Sequence, residues 1–348
     1  MDYLLLQNPG HNRVYYNVAD KLALAELKIA CLRLSVRCSR IEITEIKGIR
    51  YISLSTKSHL SSEDLNLLSR LSFVFALFQL EKLNGKNIFI PLPKVTYEYL
   101  DDKIGTLLKY HGKTNELFTK MMLNIALLSS VFNYSEKISL LDPVAGKGTT
   151  LFEAAICGID AFGIEIENKL VHETSVFLKK YLEKERFKHV FSKKQIYGSG
   201  KSNAVHLLLY EYAKSKEKFK NPDLVKRVGL VAGNSKYAFD YFKKDKFHLI
   251  VGDLPYGIVH GNKSKKNSSL VTRNPSELID ECLPQWYKVL KKGGTIAVAW
   301  NSFLVSRQKL SEIFRHHQFE VLSESPYDEF EHMVDKSIKR DIVVAKKS

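Results

Sequence analysis

Long apolar runs are missing from this 348-residue chain. A membrane-spanning helix needs about 18–20 consecutive apolar residues, and the longest candidates, residues 71–80 and 121–132, are short enough to be core elements. Residues 1–10 have no basic start followed by an apolar stretch, so no secretory signal is expected. The four cysteines (Cys31, Cys38, Cys157, Cys282) form no C-x-x-C pair. A disulfide framework and a zinc site are therefore disfavoured, no metal is expected, and a reducing, cytoplasmic setting fits. Internal repeats are absent. What remains, 45% hydrophobic and 26% charged, is the mix of a globular protein, and the length implies two domains or one large domain with an appendage.

Charge is the first positive signal. Lys and Arg number 53 against 38 Asp and Glu, a net +15, which favours a polyanionic partner. Only twelve of the 53 are arginine, so plain lysine abundance explains the balance equally well. Its location is more informative. Residues 179–220 hold twelve Lys or Arg against four acids, eight of the fifteen net charges, interleaved with Tyr181, Phe187, Phe191, Tyr197, Tyr210, Tyr212 and Phe219.

The first hundred residues alternate strand (3–7), helix (18–34), strand (40–46), strand (51–55), helix from Ser61 or Ser62, and strand (73–80). The turn Lys47-Gly48 joins the middle strands. This β-α-β-β-α-β order is that of a ferredoxin-like unit. Residues 87–97, with Pro91 and Pro93, read as an extended connection, followed by helices near 97–109 and 115–132. Strands are then expected at 138–141, 161–166, 229–232, 247–252, 295–300, 319–323 and 341–346, with helices between them. Such alternation implies α/β architecture, an open and mostly parallel seven-stranded sheet wound on both faces. The expected division is 1–85, a ferredoxin-like α+β domain; 86–111, linker and helix; and 112–348, a Rossmann-like domain with a basic helical insertion at 179–220.

The most informative stretch is L-L-D-P-V-A-G-K-G-T-T-L-F-E, residues 140–153. A strand ends at Asp142, a loop carries Gly146 and Gly148, a helix opens near Thr149, and a second strand ends in Glu165, 23 residues after Asp142. An acid about 20 residues on can accept hydrogen bonds from both ribose hydroxyls of a nucleoside laid across the strand ends. The nicotinamide fingerprint G-x-G-x-x-G is absent, as is the P-loop G-x-x-x-x-G-K-[ST]. Asp142 would repel a diphosphate but suits an ammonium group. A ligand with an amino-acid end and an adenosine end fits best: S-adenosyl-L-methionine.

A second constellation, Asp253-Leu254-Pro255-Tyr256, directly follows the strand at 247–252. It is an instance of the [N/D/S]-[P/I/L]-P-[Y/F] tetrapeptide of amino-group methyltransferases. An exocyclic base amine is a poor nucleophile because its lone pair is delocalised into the ring. The Asp253 carboxylate and a carbonyl of Leu254 or Pro255 can accept its hydrogens and aim the lone pair at a sulfonium methyl. Pro255 stiffens the turn, Tyr256 can stack on an extruded base, and the carboxylate stabilises charge developing on nitrogen. Beyond the tetrapeptide, Lys263, Lys265 and Lys266 sit among serines and Gly261 beside the proposed pocket, with Arg273 further on. They are read either as a solvated loop or as phosphate contacts. The isolated His111, His260, His316 and His317 are read as surface or structural residues.

Together, D-P-V-A-G-K-G-T-T-L-F-E and D-L-P-Y-G resemble the THUMP-associated tRNA guanine-N2-methyltransferase family over about residues 112–346. Ala145, Lys147 and Leu254 stand where that family usually has Cys, Ser and Pro. Residues 1–81, with the L-A-L-A-E-L run at 22–27, resemble its N-terminal ferredoxin-like unit. Only about sixty residues then remain before Asp142, too few for a full THUMP domain. The resemblance implies that Asp142 and Pro143 lie at the methionine end, that Gly146, Gly148 and Thr149 approach the cofactor, and that Glu165 holds the ribose. It also implies Asn234 near the adenine amine, and Asn115, Phe118 and Thr119 in a segment covering the methionine. It implies an RNA methyltransferase, foremost of guanine N2 in tRNA. Lys193, Lys194 and Lys201 of the basic stretch would meet phosphates. Adenine-N6 methylation of rRNA or DNA uses the same tetrapeptide, and a catalytically silent nucleic-acid-binding protein would keep the same fold. Whether a partner subunit is needed stays open.

Overall fold

The structure, a computed structural model, describes residues 1–8, 13–107, 113–196, 205–255 and 275–348, with backbone alone over 13–17. The N-terminal part runs β1 (Asp2–Gln7), α1 (Arg13–Cys31), β2 (Cys38–Ile46), β3 (Ile49–Thr56), α2 (Ser62–Ser69), β4 (Val74–Leu83) and β5 (Lys86–Pro91). Its sheet is antiparallel, in the order β2-β3-β1-β4-β5. Ser61 caps α2 in a capping box with Asp64, each side chain accepting from the other's backbone N–H. The fifth strand corrects the extended connection expected at 87–97. Asn84 and Gly85 both take positive φ (51° and 73°), the two-residue turn that folds β5 back onto β4.

The rest of the chain comprises α3 (Lys103–Leu107), α4 (Glu116–Ser129), β6 (Ser139–Asp142), α5 (Thr149–Ile156), β7 (Asp160–Glu165), α6 (Asn168–Lys184), β8 (Lys188–Ile196), β9 (Val205–Ala213) and α7 (Lys216–Phe219). It continues with β10 (Lys226–Ala232), α8 (Ala238–Phe242), β11 (Phe247–Asp253), α9 (Pro275–Val289), β12 (Leu290–Asn301), α10 (Arg307–His316), β13 (Glu320–Leu322), β14 (His332–Met333) and β15 (Lys339–Lys346). One sheet takes the order β13-β15-β12-β11-β6-β7-β10-β9-β8, with β14 on β15. Strands β10, β7, β6, β11 and β12 are parallel neighbours, and β15 runs antiparallel to β12. This is a Rossmann-like α/β sheet.

Side-chain alternation separates its two faces. Leu140, Ala161, Leu249, Val251, Ala297 and Val344 join the core under α1, α4 and α5. Their chain neighbours Leu141, Phe162, Ile250, Ile296, Val298 and Val343 join a second core under α8, α9 and α10.

Among the described residues the sheet has ten strands rather than the seven expected. Most of the difference lies in the basic segment at 179–220, expected to be a helical insertion. It instead holds the end of α6, the β8–β9 hairpin and the one-turn α7. Residues 205–213 (V-H-L-L-L-Y-E-Y-A) are too apolar for a solvated helix, and they pair with the free edge of β10, burying Leu209, Tyr210, Tyr212 and Ala213. Among the described residues, three of the aromatics interleaved with the lysines are therefore core. Tyr181, Tyr210 and Tyr212 are buried, whereas Phe191 stays exposed on the edge strand β8 beside Lys193 and Lys194.

A polar knot ties the N-terminal part to α4. Glu26, fully buried, accepts from the Ser72 backbone N–H at 3.0 Å and from Asn124 Nδ2 at 2.7 Å, while Tyr134 donates to Asn124 Oδ1. Burial raises the Glu26 carboxyl above its ordinary range. Arg33 donates to the carbonyls of Ser130 and Phe132 just past α4. These contacts fix the helix whose N-terminus borders the site below. No described helix is long and apolar enough to cross a membrane.

Candidate functional site

The carboxyl ends of β6 and β11 lie side by side where the strand order reverses direction, the position at which open α/β sheets leave a crevice. Asp142 ends β6 and Asp253 ends β11. Both line one cavity of about 300 Å³, together with Thr114, Thr119, Gly146, Lys147, Thr149 and Leu170. Two constellations separated by more than a hundred residues thus share one space.

The Asp142 carboxyl is almost fully buried and accepts from the Val144 backbone N–H at 3.0 Å, which turns the chain sharply out of β6. Burial pushes this carboxyl up to about 7, against hydrogen bonds from Val144 and Thr150 that pull it down; the nearby Glu165 and Asp253 carboxylates raise it further. Gly252 makes room for it, since a Cβ there would stand 3.2 Å from Asp142 Oδ1. The loop closes through Gly148, whose φ of +83° starts α5; a Cβ on it would meet Thr174 Cγ2 at 2.8 Å. At Gly146 a Cβ would meet nothing within 4 Å, so the loop backbone there faces open space.

Glu165 accepts from Gly146 N–H at 2.9 Å and from Glu167 N–H at 2.8 Å, and its backbone carbonyl takes Gly233 N–H. It therefore ties the loop after β6 to the loops after β7 and β10. Burial raises its carboxyl as well.

Asp253 is gripped from two sides. Thr114 Oγ1 donates to its Oδ2 at 2.7 Å, and Arg340 Nη2 lies 3.5 Å from the same oxygen. Arg340 is itself buried, its guanidinium 4.5 Å over the Phe118 ring, which in turn meets His332 at 5.6 Å. The chain is then held by Leu254 N–H bonding to the Ala299 carbonyl on β12.

Of the residues singled out in the sequence, the cavity collects Asp142, Gly146, Thr149, Thr119 and Asp253. Asn115 is the N-cap of α4, accepting from Phe118 N–H at 3.0 Å, and its carbonyl receives Thr119 Oγ1. Phe118 is fully buried, with the Arg340 guanidinium over its ring. Pro143 and Gly148 are buried beneath the loop. Asn234 follows β10 next to Gly233, and its Oδ1 accepts from Lys236 N–H. Pro255 is exposed. Tyr256, Lys201, Lys263, Lys265, Lys266 and Arg273, with His111 and His260, lie outside the described residues. His317 bonds Asp280 at 2.7 Å, far along the chain from these loops.

Sequence reasoning had Thr114 only as part of the segment 112–119 covering the methionine end, and Arg340 only as part of a structural turn before the last strand; it missed that both reach Asp253. Among the described residues no group of three or more His, Cys, Asp or Glu is placed to hold a metal ion.

No curated protein sequence matches the chain. Similar solved structures include TehB from Haemophilus influenzae (12% identity, 90% of this chain and 87% of that chain, TM-score 0.39). Another is the T. thermophilus 16S rRNA N2 G1207 methyltransferase RsmC in complex with AdoMet and guanosine (15% identity, 89% of this chain and 58% of that chain, TM-score 0.36). A third is a TehB-like SAM-dependent methyltransferase from Corynebacterium glutamicum (12% identity, 61% and 82%, TM-score 0.33). Residues 119–324, more than half of the chain, match the UPF0020 family, described as an RMKL-like methyltransferase domain, and the chain belongs to that family.

Proposed function

We propose that the chain is an S-adenosyl-L-methionine-dependent methyltransferase acting on an exocyclic amine of an RNA base, guanine N2 in tRNA. The observation that carries this reading is that Asp142 and Asp253 open into one cavity. The residues fit the cofactor. A buried acid stands at one end of a loop whose backbone is open at Gly146, and a second acid, Glu165, stands at the far side of the same loop. The cofactor supplies an electrophilic methyl group on a sulfonium.

Asp142 holds the ammonium of the methionine end, and Gly146, Gly148 and Thr149 let the loop backbone approach it. The lone pairs of Glu165 not used by Gly146 and Glu167 accept the ribose hydroxyls, and Asn234 borders the adenine. Asp253 accepts a hydrogen of the base amine, so that the nitrogen lone pair is aimed rather than delocalised. It then stabilises the positive charge that grows on nitrogen during transfer. Tyr256 stacks on the base, and Leu254 or Pro255 offers the second acceptor. Thr114 and Arg340 hold Asp253 in place; they are positioning residues.

The lysines of the β8 edge, Lys193 and Lys194, together with Lys201, Lys263, Lys265, Lys266 and Arg273, attract phosphates in a salt-sensitive way. In the same reading β10-β7-β6-β11-β12-β15-β13 is the seven-stranded core, β8, β9 and β14 are additions, and residues 1–85 form the ferredoxin-like domain. Nucleoside analysis of total tRNA with and without the protein tests the reading, the expected result being loss of N2-methylguanosine when the protein is absent. Leu254 in the tetrapeptide also suits adenine-N6 chemistry, and loss of N6-methyladenosine instead would move the substrate there.

A further inference from the structure

A second cavity, of about 400 Å³, lies at the opposite edge of the large sheet. It is lined by the residues that lead into the parallel strands: Lys137 and Ile138 before β6, Gly158 and Ile159 before β7, and Lys226 at the start of β10. The N-terminal part and its connection close the other side with Arg70, Tyr97 and Tyr99, and Tyr134 completes the wall. The crevice of Asp142 and Asp253 opens at the other ends of these strands, so the two cavities are separate sites.

Its chemistry is cationic and aromatic. The Arg70 guanidinium sits 4.7 Å over the Tyr97 ring and 4.6 Å over the Tyr134 ring. Lys226 Nζ lies 5.6 Å from the Tyr99 ring centre, and Lys214 covers the same ring at 5.3 Å. Arg70 donates to Asn66, and Lys137 to the Pro222 carbonyl. Among the described residues, neither Arg70, Lys137 nor Lys226 has a carboxylate within salt-bridge distance. The acids that line the cavity, Glu136 and Asp223, are exposed, and Glu136 is turned to the Asn133 N–H. Burial lowers the Lys226 ammonium below its ordinary range, against the nearby Asp160 carboxylate, which raises it, and with a smaller push down from Lys137. Arg70 and Lys226 are half-buried and Lys137 is exposed; the buried Asp160 carboxylate draws on both lysines while it pairs with Arg227. The cations lining the cavity still outnumber its acids, three to two, and set among tyrosines they suit an anion with a flat apolar part.

We propose that this cavity binds a nucleotide, its phosphate held by Lys226, Lys137 and Arg70 and its base packed along Tyr97 and Tyr99. An unpaired nucleotide of an RNA strand and a free mononucleotide share this chemistry. Binding here does not require methyl transfer, so the test is independent of the function proposed above.

The probes are uridine 5′-monophosphate and a single-stranded oligouridylate, titrated with the full chain in saturating S-adenosylhomocysteine to keep nucleosides out of the cofactor part of the other crevice. Lys137→Glu/Lys226→Glu should weaken binding about tenfold or more. Lys226→Arg should restore it to within about threefold of wild type, and S-adenosylhomocysteine affinity should stay within about twofold as proof of folding. For the oligomer, the salt slope should fall by about 0.7 for each lysine removed. Tighter binding of the oligomer than of the monophosphate assigns the site to an RNA strand, and equal binding assigns it to a free nucleotide. Unchanged affinity of both probes in the double variant, or no binding of either to the wild type at millimolar concentration, overturns the proposal.

Discussion

Thr114 donates its hydroxyl proton to Asp253 Oδ2 at 2.7 Å, across 139 residues of sequence. The contact links the segment before α4 to the end of β11, so the acid proposed to orient the base amine is aimed by a residue outside its own loop. Hydrogen bonds to charged groups are worth about 1.5–3 kcal/mol. Thr114→Val, which keeps the shape and removes the donor, should lower kcat about tenfold while KM for RNA and for cofactor stay within about threefold. A parallel loss in cofactor binding would place Thr114 with the cofactor instead.

Arg340 approaches the same oxygen from β15, buried against Phe118. Removing one partner of a buried ion pair is strongly destabilising because the other charge is left desolvated, at a cost of about 3 kcal/mol. Arg340→Met should therefore lower the urea midpoint as well as activity, whereas Thr114→Val should leave the midpoint close to wild type. Denaturation curves of the two variants distinguish aiming from support.

Gly148 holds φ at +83° where a Cβ would collide with Thr174 Cγ2. Both the backbone and the packing oppose a side chain. Gly148→Ala should cost about 2 kcal/mol of stability and weaken cofactor binding, since α5 starts from this residue. Trimming the neighbour in Gly148→Ala/Thr174→Ser should recover part of the stability but not the backbone share.

The Asp142 carboxyl, raised by burial to about 7, gives a pH signature. The folded chain keeps this proton up to about neutrality, while the unfolded chain loses it near its ordinary value of about 4. Proton uptake favours the folded state, so this contribution to stability is fullest below about pH 4 and is lost as pH rises to about 7. Asp142→Asn should flatten stability over that window. A cofactor ammonium favours the ionised form, so affinity should rise between about pH 5 and pH 8 with release of a proton. Calorimetry in buffers of different ionisation enthalpy checks this, and the Asn variant should release none.

Much of this site was legible from single residues. Asp142, Glu165 and Asp253 each sit at a strand end, where a short apolar run followed by a turn-forming residue marks both the element and its exit, and Gly146 lies in the loop after the first of them. Short apolar runs marked β6, β7, β10, β11, β12 and β15, because each of these strands is buried on two faces by different cores. The hairpin at 188–213 was lost to a different logic. Its lysines suggested a solvated insertion, yet the deciding factor was the free edge of β10, which a sequence does not display. The Asn84-Gly85 turn was a local signal that the two following prolines masked, since Pro91 ends β5 on the sheet edge, where no donor is required. The contacts of Thr114 and Arg340 with Asp253 were out of reach for a third reason: they exist only in the fold that brings those residues together.

The most direct test incubates unmodified tRNA with methyl-labelled S-adenosylmethionine and either the wild-type chain or Asp253→Ala. The account predicts label in N2-methylguanosine with the wild type. With the variant it predicts a rate lowered at least about a hundredfold, and cofactor affinity within a few-fold of wild type. Label retained at a near-normal rate in Asp253→Ala, or no label in any nucleic acid from a wild-type chain that binds the cofactor, would contradict it.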